Sequence, residues 1–115
     1  MIGKVVDKHT VEHYVWGDEC DSWVLTETEG LSIKQESMPK GTREQLHLHT
    51  AAQQFFFILK GVATFYLEND KIIVPEEKGL LIVPKTKHFI ANEGNQRLHF
   101  LVISQPSTKN DRVNG

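Results

Sequence analysis

Residues 41–61 read GTREQLHLHTAAQQFFFILKG and carry the strongest structural signal in the chain. Residues 46–49 within this stretch alternate between leucine and histidine. Successive side chains of a β-strand point to opposite faces, so His47 and His49 face the same way, roughly 7 Å apart along the strand. Two imidazoles in that position can chelate one metal ion. The stretch therefore predicts a β-strand that carries a pair of candidate metal ligands.

The rest of the chain also resembles a series of short strands separated by turns. Residues 55–60 form an apolar run too short for a typical helix, and Gly61 ends it. Further segments rich in β-forming residues lie at 22–28, 31–38, 62–67, 71–74, 80–83, 88–91 and 98–104. We expect at most a helical turn in the first fifteen residues. Many short strands with regular turn signals predict an all-β sandwich or barrel.

Length and charge limit the class of protein. The chain has 115 residues, with 13 Lys and Arg against 15 Asp and Glu, and a formal net charge of −2. This length is typical of one domain, which we place at 1–115. We expect a barrel core at about 21–104, an N-terminal arm at 1–20 and a loose polar tail at 105–115. The near-neutral charge and the scattered lysines argue against a nucleic-acid partner.

The termini and the single cysteine favour a cytoplasmic protein. No stretch approaches the roughly 18 apolar residues of a membrane span, so we expect no membrane partner. Residues 1–7 lack the apolar run of a signal peptide. Cys20 is the only cysteine and cannot form a disulfide within the chain. Its acidic neighbours disfavour the thiolate, so we do not expect Cys20 to act as a nucleophile.

A third histidine, His88, opens a later predicted strand shortly after Pro84. Together with His47 and His49 it would complete a set of three imidazoles, the ligands that suit Zn, Cu, Fe and Ni. A His-x-His pair also occurs on strands that bind no metal, where each imidazole is simply a hydrogen-bonded polar group. On the residues alone, both interpretations remain open.

The stretch with the two histidines resembles the first sequence motif of the cupin family. In that motif two glycines frame two histidines and, usually, a glutamate. Gly41 and Gly61 fall on the glycine positions, and His47 and His49 fall on the histidine positions. Gln54 stands where most cupins carry the ligating glutamate. The chain therefore departs from the motif at one candidate ligand.

A second cupin motif is similar to a later part of the chain. Its fixed positions are matched by Gly79, Pro84, His88 and Asn92. The gaps on both sides of Pro84 are shorter than usual, and Lys85 and Thr86 stand where a glycine is common. The turn before His88 should therefore differ in shape from that of other cupins. The whole resemblance covers residues 31–104.

The resemblance implies a double-stranded β-helix, or jelly-roll barrel, that holds one divalent transition metal near its middle. His47, His49 and His88 would supply nitrogen ligands, and Gln54 an amide oxygen. The metal would be Fe, Zn, Mn or Ni. Gln54 could instead donate a hydrogen bond to a bound water, and a barrel of this kind could also keep its histidines as polar pocket walls without a metal.

Two further expectations concern the faces of the strands. His99 shares a face with Leu101 and Ile103 and could line the pocket as a catalytic acid or base, although a hydrogen-bonded or interface histidine is the simpler alternative. If Gln54 points inward, Phe55, Phe57 and Leu59 point outward. This outer face needs cover, for which we expect a homodimer; the N-terminal segment is the alternative.

Several functions fit these features. The first is a mononuclear-metal cupin that acts on a small molecule, as a dioxygenase or an isomerase. The second is a non-catalytic module that binds a small ligand such as a sugar or an organic acid; the replacement of a carboxylate by Gln54 favours it. The third is a metal-free sugar isomerase or epimerase on the same fold, with histidine as the base.

Overall fold

The structure, a computed structural model, describes residues 3–115. This part of the chain contains eleven β-strands and no helix. The strands are β1 (His13–Trp16), β2 (Cys20–Glu27), β3 (Ser32–Met38), β4 (His47–His49), β5 (Gln53–Lys60), β6 (Ala63–Leu67), β7 (Asp70–Val74), β8 (Gly79–Ile82), β9 (His88–Ala91), β10 (Leu98–Gln105) and β11 (Arg112–Asn114). The all-β prediction is confirmed.

The strands form two antiparallel sheets. One sheet has six strands in the order β1-β2-β3-β10-β5-β8, and the other has five in the order β11-β4-β9-β6-β7. Neighbours in each sheet are mostly distant in sequence, because successive strands alternate between the sheets from β3 to β6 and again from β7 to β11. The strand that carries His47 and His49 therefore lies between two strands from the C-terminal third of the chain.

The two ends of the chain differ from the sequence-based expectation. A hydrogen-bonded turn joins Asp7 to Thr10, and β1 follows it, where we expected at most a helical turn. Residues 112–114, expected in a loose tail, form β11 and pair with β4. Local sequence does not predict this strand, because Arg112 and Asn114 are polar and Val113 is a single apolar residue. The pairing with β4 holds these residues extended. The prediction of a single domain with a core at 21–104 stays a prediction.

The core lies between the sheets and is built from alternate residues of the long strands. On β10, for example, Leu98, Phe100 and Val102 are buried, and the residues between them are half-buried. The Phe56 ring lies 5.0 Å from the Phe65 ring and 5.9 Å from the Phe100 ring, measured between centroids. The contact between Phe56 and Phe65 joins the two sheets, and the contact between Phe56 and Phe100 lies within the six-stranded sheet.

Side chains of strand β5 alternate between the inner and outer faces of the sheet, as the sequence predicts. Gln54 faces inward and is buried, whereas Phe55 and Leu59 face outward and are each 38% exposed. Phe55 belongs to a row of cross-strand partners, Ile33, Ile103, Phe55 and Leu81, that crosses four strands of the six-stranded sheet. The N-terminal strand β1 pairs at the β2 edge of this sheet, away from β5. The homodimer stays a prediction.

Residues 3–115 contain no helix that is long and apolar enough to cross a membrane. The turn at Gly61 approaches a neighbouring strand closely. Gly61 has a φ of +89°, and a Cβ atom there would lie 3.0 Å from the carbonyl oxygen of Arg97 and 3.2 Å from Cα of Leu98. Both contacts are with backbone, which cannot move aside easily.

We therefore expect Gly61→Ala to lower the free energy of unfolding by about 1–3 kcal/mol, since alanine disfavours this backbone conformation and meets the Arg97 carbonyl. Gly30→Ala is the matched control, because no atom lies within 4 Å of its Cβ position. Urea titrations of both variants test this. Equal stability of the two variants would show that the turn tolerates a side chain.

Candidate metal centre

Two neighbouring strands bring the three predicted histidines together. His47 and His49 lie on β4, His88 begins β9, and His47 is the register partner of His88. The ring centroids are 4.4 Å apart for His47 and His88, 4.9 Å for His47 and His49, and 6.0 Å for His49 and His88. One ring nitrogen from each lies within 4.8 Å of the others, and all three side chains are buried.

Backbone carbonyls set the tautomer of each ring. Nδ1 of His47 donates to the Gln45 carbonyl at 2.8 Å, and Nδ1 of His88 donates to the Thr86 carbonyl at 2.8 Å. Nδ1 of His49 donates to the carbonyl of Asp111 at 3.3 Å. With the proton on Nδ1, each Nε2 has a free lone pair. This is the arrangement in which imidazoles bind metal ions through Nε2.

Burial keeps the three imidazoles neutral. It lowers the pKa of His47 to about 3, and the neighbouring His88 and His49 lower it further against the opposing effect of the Gln45 hydrogen bond. Burial also lowers the pKa of His49 and of His88. Neutral imidazole is the ligand form, so these residues need not lose protons to bind a metal at neutral pH.

Gln54 lies in the same cavity wall as His47 and His49. Its Nε2 donates to the hydroxyl of Ser104 at 3.1 Å, which fixes the direction of the amide. Its Oε1 is buried and has no hydrogen-bond partner within residues 3–115. The same is true of Nε2 of His88. Buried polar atoms are rarely left without a partner, so each of these two atoms is open to an additional group.

The short turn before His88 has a left-handed residue. Lys85 has a φ of +66°, in the left-handed region where a glycine is usual. Its backbone NH donates to the carbonyl of His49 at 2.7 Å. This hydrogen bond joins the turn to β4 and brings the start of β9 beside the two histidines of β4.

His47 and His49 border a cavity of about 620 Å³. Its charged lining residues are Glu12, Glu27, Lys34, Glu36, Arg43, Glu44, Lys109 and Arg112. A cavity of this volume can hold a small molecule, and the balanced charges suit a polar one.

Glu44 is a cavity residue that the sequence does not reveal. Its Oε1 lies 3.8 Å from Nδ1 of His47 and its Oε2 lies 3.7 Å from Nη1 of Arg112, and Oε1 has no hydrogen-bond partner in the described chain. Burial raises the pKa of this carboxyl to about 8, and the Glu36 charge raises it further against the opposing effect of Arg112. Strict alternation from residue 44 would place Glu44 opposite the histidines, but β4 begins only at His47 and the irregular segment before it turns the carboxyl inward.

A second acidic group lines the cavity on β3. Glu36 accepts a hydrogen bond from the hydroxyl of Ser22, and burial raises the pKa of its carboxyl. Nearby on the same strand, Lys34 donates to the hydroxyl of Tyr14 at 3.0 Å. Alternation on β3 could have identified this pair, since Lys34 and Glu36 share a face with the buried Ser32 and Met38.

The prediction that His99 lines the pocket is wrong. His99 lies on β10 between the buried residues Leu98 and Phe100, so its side chain leaves the opposite face of the sheet. It is not part of the cavity wall, and burial together with Lys8 lowers the pKa of its ring. His99 shares a face of β10 with Leu101 and Ile103, as expected, but this face is the outer one.

Other residues that the sequence leaves open have structural roles. Cys20 is buried, and burial raises the pKa of its thiol, in keeping with the expectation that it is not a nucleophile. Asn92 donates from Nδ2 to the carbonyls of Met38 and Gln96, both at 2.9 Å. It therefore joins two backbone segments and is not among the residues that line the cavity.

Comparisons with known proteins agree with this geometry. The family model described as Cupin domain matches residues 34–104, so the chain belongs to the cupin family. The jelly-roll prediction is thereby confirmed. An uncharacterised protein of Methanocaldococcus jannaschii is 35% identical over 75 residues, which are 65% of this chain and 60% of that relative. The chain thus spans about 60% of the length of this curated relative.

Solved structures share the fold. A predicted oxalate decarboxylase from Thermotoga maritima is similar with a TM-score of 0.82 at 18% identity, over 90% of this chain and 100% of that one. KdgF from Halomonas sp. is similar with a TM-score of 0.77 at 13% identity, over 86% and 91%. A putative sugar phosphate isomerase from Acidithiobacillus ferrooxidans is 26% identical with a TM-score of 0.61, over 66% of this chain and 50% of that one.

The lowered pKa values predict how the stability of the metal-free protein depends on pH. Below the ordinary histidine value of 6.5, the unfolded chain binds protons at His47, His49 and His88 that the folded protein does not bind. The free energy of unfolding therefore decreases as the pH falls, by at most about 1.4 kcal/mol per pH unit for each proton. Glu44 has the opposite effect between its ordinary value of 4.5 and about 8.

We expect His47→Gln to flatten this decline between about pH 6 and pH 4, because the variant lacks one of the protons that only the unfolded chain binds. Urea unfolding of both metal-free proteins at a series of pH values measures the difference. Parallel curves would mean that His47 titrates alike in the folded and unfolded states.

Proposed function

We propose that the protein is a mononuclear metal enzyme that moves a proton on a small, oxygen-rich molecule, as an isomerase does. His47, His49 and His88 hold the metal through Nε2, and the Gln54 amide oxygen completes the ligand set. A bound divalent transition metal supplies Lewis acidity, which polarises a substrate oxygen. The protein's own residues orient the substrate and carry the proton.

The donor set fits such a metal. Three imidazoles suit Fe, Zn, Mn or Ni rather than Mg or Ca, which prefer all-oxygen sites. The buried lone pair on Nε2 of His88 and the buried Oε1 of Gln54 both lack partners within the described residues, as metal ligands do before the ion binds. All four donors are neutral, so none offsets the charge of a divalent ion. That makes the ion a stronger Lewis acid than it would be beside a carboxylate.

The proposal rests mainly on one observation: Glu44, a carboxyl with one buried oxygen, lines the same cavity as His47 and His49. Oε1 of Glu44 is free to hold or release a proton, and Arg112 lies 3.7 Å from its other oxygen. Glu44 thus takes the acid–base role that the sequence suggested for His99. Proton transfer by a positioned side chain contributes about 10²–10⁴-fold to the rate in many enzymes.

The choice of an isomerase over a dioxygenase follows from the cavity lining. A proton carrier and paired charges are of use in moving protons between carbon and oxygen, whereas oxygen activation requires mainly an open metal position. The putative sugar phosphate isomerase from Acidithiobacillus ferrooxidans, 26% identical to this chain, supports the same choice.

The metal part of the proposal predicts metal content. Protein purified without added metal should contain close to one equivalent of a transition metal per chain, and the double variant His47→Ala/His49→Ala should contain almost none, because it keeps one imidazole of three. Elemental analysis by mass spectrometry measures both. Equal, negligible metal in the two proteins would remove the metal from the proposal.

The proton-transfer part predicts solvent exchange. In D₂O, the metal-loaded protein should exchange a carbon-bound hydrogen next to the carbonyl of at least one member of a panel of aldoses, ketoses and their phosphates, followed by proton NMR. Glu44→Gln should keep its metal and lose at least roughly tenfold in exchange rate, in line with the loss of a general acid or base. Glu12→Gln, which removes an exposed carboxylate at the same cavity, is the matched control and should exchange at the wild-type rate.

The other outcomes identify the alternatives. Oxygen consumption with the metal-loaded protein, without hydrogen exchange, would indicate a dioxygenase. Exchange that survives chelators and His88→Ala would indicate a metal-free isomerase. Melting shifts with a sugar or organic acid, without turnover, would indicate a ligand-binding module.

A further inference from the structure

The C-terminal segment of the chain reaches the histidine cluster from outside the region that the cupin model matches. Strand β11 pairs with β4 at all three of its residues, and Arg112 is the partner of His49. On the other side of β4, strand β9 pairs only at His47 and His88. Most of the backbone pairing that holds β4 in place therefore comes from residues 112–114.

Asp111, directly before β11, anchors this segment to the loop between β4 and β5. Its Oδ1 accepts from the NH of Thr50 at 3.0 Å and of Ala51 at 3.2 Å. Its Oδ2 accepts from the NH of Ala51 at 3.1 Å and of Ala52 at 3.0 Å. The hydroxyl of Thr50 donates to Oδ1 as well. One carboxylate thus binds three consecutive amides of the loop that joins His49 to β5.

The same residue also holds the His49 ring. The backbone carbonyl of Asp111 accepts the Nδ1 proton of His49 at 3.3 Å. His47 and His88 find their carbonyl partners two residues away in their own strand regions, at Gln45 and Thr86. His49 has its carbonyl partner 62 residues away. The orientation of the His49 ring therefore depends on a distant segment of the chain, whereas the orientations of the His47 and His88 rings depend on nearby backbone.

We propose that Asp111 is a positioning residue for His49. The carboxylate fixes the C-terminal segment on the amides of residues 50–52, and the Asp111 carbonyl consequently stays aimed at Nδ1 of His49. The proton is then kept on Nδ1, and the Nε2 lone pair faces His47 and His88. The effect on metal affinity rests on the proposed function, whereas the effect on the ring tautomer is a property of the chain alone.

The first experiment follows the ring tautomers of the metal-free protein by long-range ¹H–¹⁵N NMR of the histidine side chains. In the wild type, His49 should carry its proton on Nδ1. In Asp111→Ala, the loop amides lose their acceptor, and His49 should shift towards the Nε2-protonated tautomer. His47 and His88 should keep their Nδ1 protons, because their carbonyl partners are unchanged.

The second experiment measures Co²⁺ affinity from the visible absorption of the bound ion. Asp111→Ala should bind Co²⁺ roughly 10-fold or more weakly, as is usual when a group that orients a ligand is removed. Val74→Ala is the control for general destabilisation, since Val74 is buried on β7 and has no part in the site. It should lower the melting temperature and keep the wild-type Co²⁺ affinity.

Three results would overturn the proposal: wild-type His49 ring signals in Asp111→Ala, Co²⁺ affinity within twofold of wild type, or an equal loss of affinity in Val74→Ala. If Asp111→Ala does not fold, Asp111→Asn replaces it, since the amide keeps the size of the side chain and loses one acceptor oxygen. If the wild type binds no Co²⁺, the proposed function fails, and the ring signals alone decide on Asp111.

Discussion

The site depends on the burial of three neutral imidazoles at one place between the sheets. Each ring donates a hydrogen bond from Nδ1 to a backbone carbonyl, so no ring N–H is left without a partner. The same hydrogen bonds direct the Nε2 lone pairs towards one another. The same burial lowers the pKa of all three rings, which prevents the mutual repulsion that three imidazolium ions would suffer. Neutrality and direction together make the cluster suited to a metal ion.

The cavity beside the histidines also contains charged groups whose pKa values are shifted by burial. Glu44 and Glu36 are half-buried in the same cavity as Arg112, and this burial raises the pKa of both carboxyls. A carboxyl in this setting can be protonated near neutral pH, unlike one in water. The cavity thus combines neutral metal-type donors with groups able to exchange protons, and the proton transfer that we propose rests on this combination.

The candidate ligands were predictable because alternation and motif spacing are properties of neighbouring residues. His47 and His49 face the same way on any strand, whereas the inward direction of Gln54 was implied only by the resemblance to the cupin motif. The rule did not say which face of β10 was the inner one, so His99 was misplaced. It also failed for Glu44, where the chain is not yet a regular strand and the side chain turns inward.

From its amino-acid order alone, this chain predicted short strands and the shared face of His47 and His49, since local chain geometry dictates both. The resemblance to the cupin motifs implied that His88 joins them. Only the packed structure decided that the rings converge within 4.8 Å, that Glu44 joins them, and that Asp111 holds His49 from 62 residues away. Such contacts depend on which strands become neighbours. Strand order follows from the burial of the whole core, and no segment of a sequence specifies that by itself.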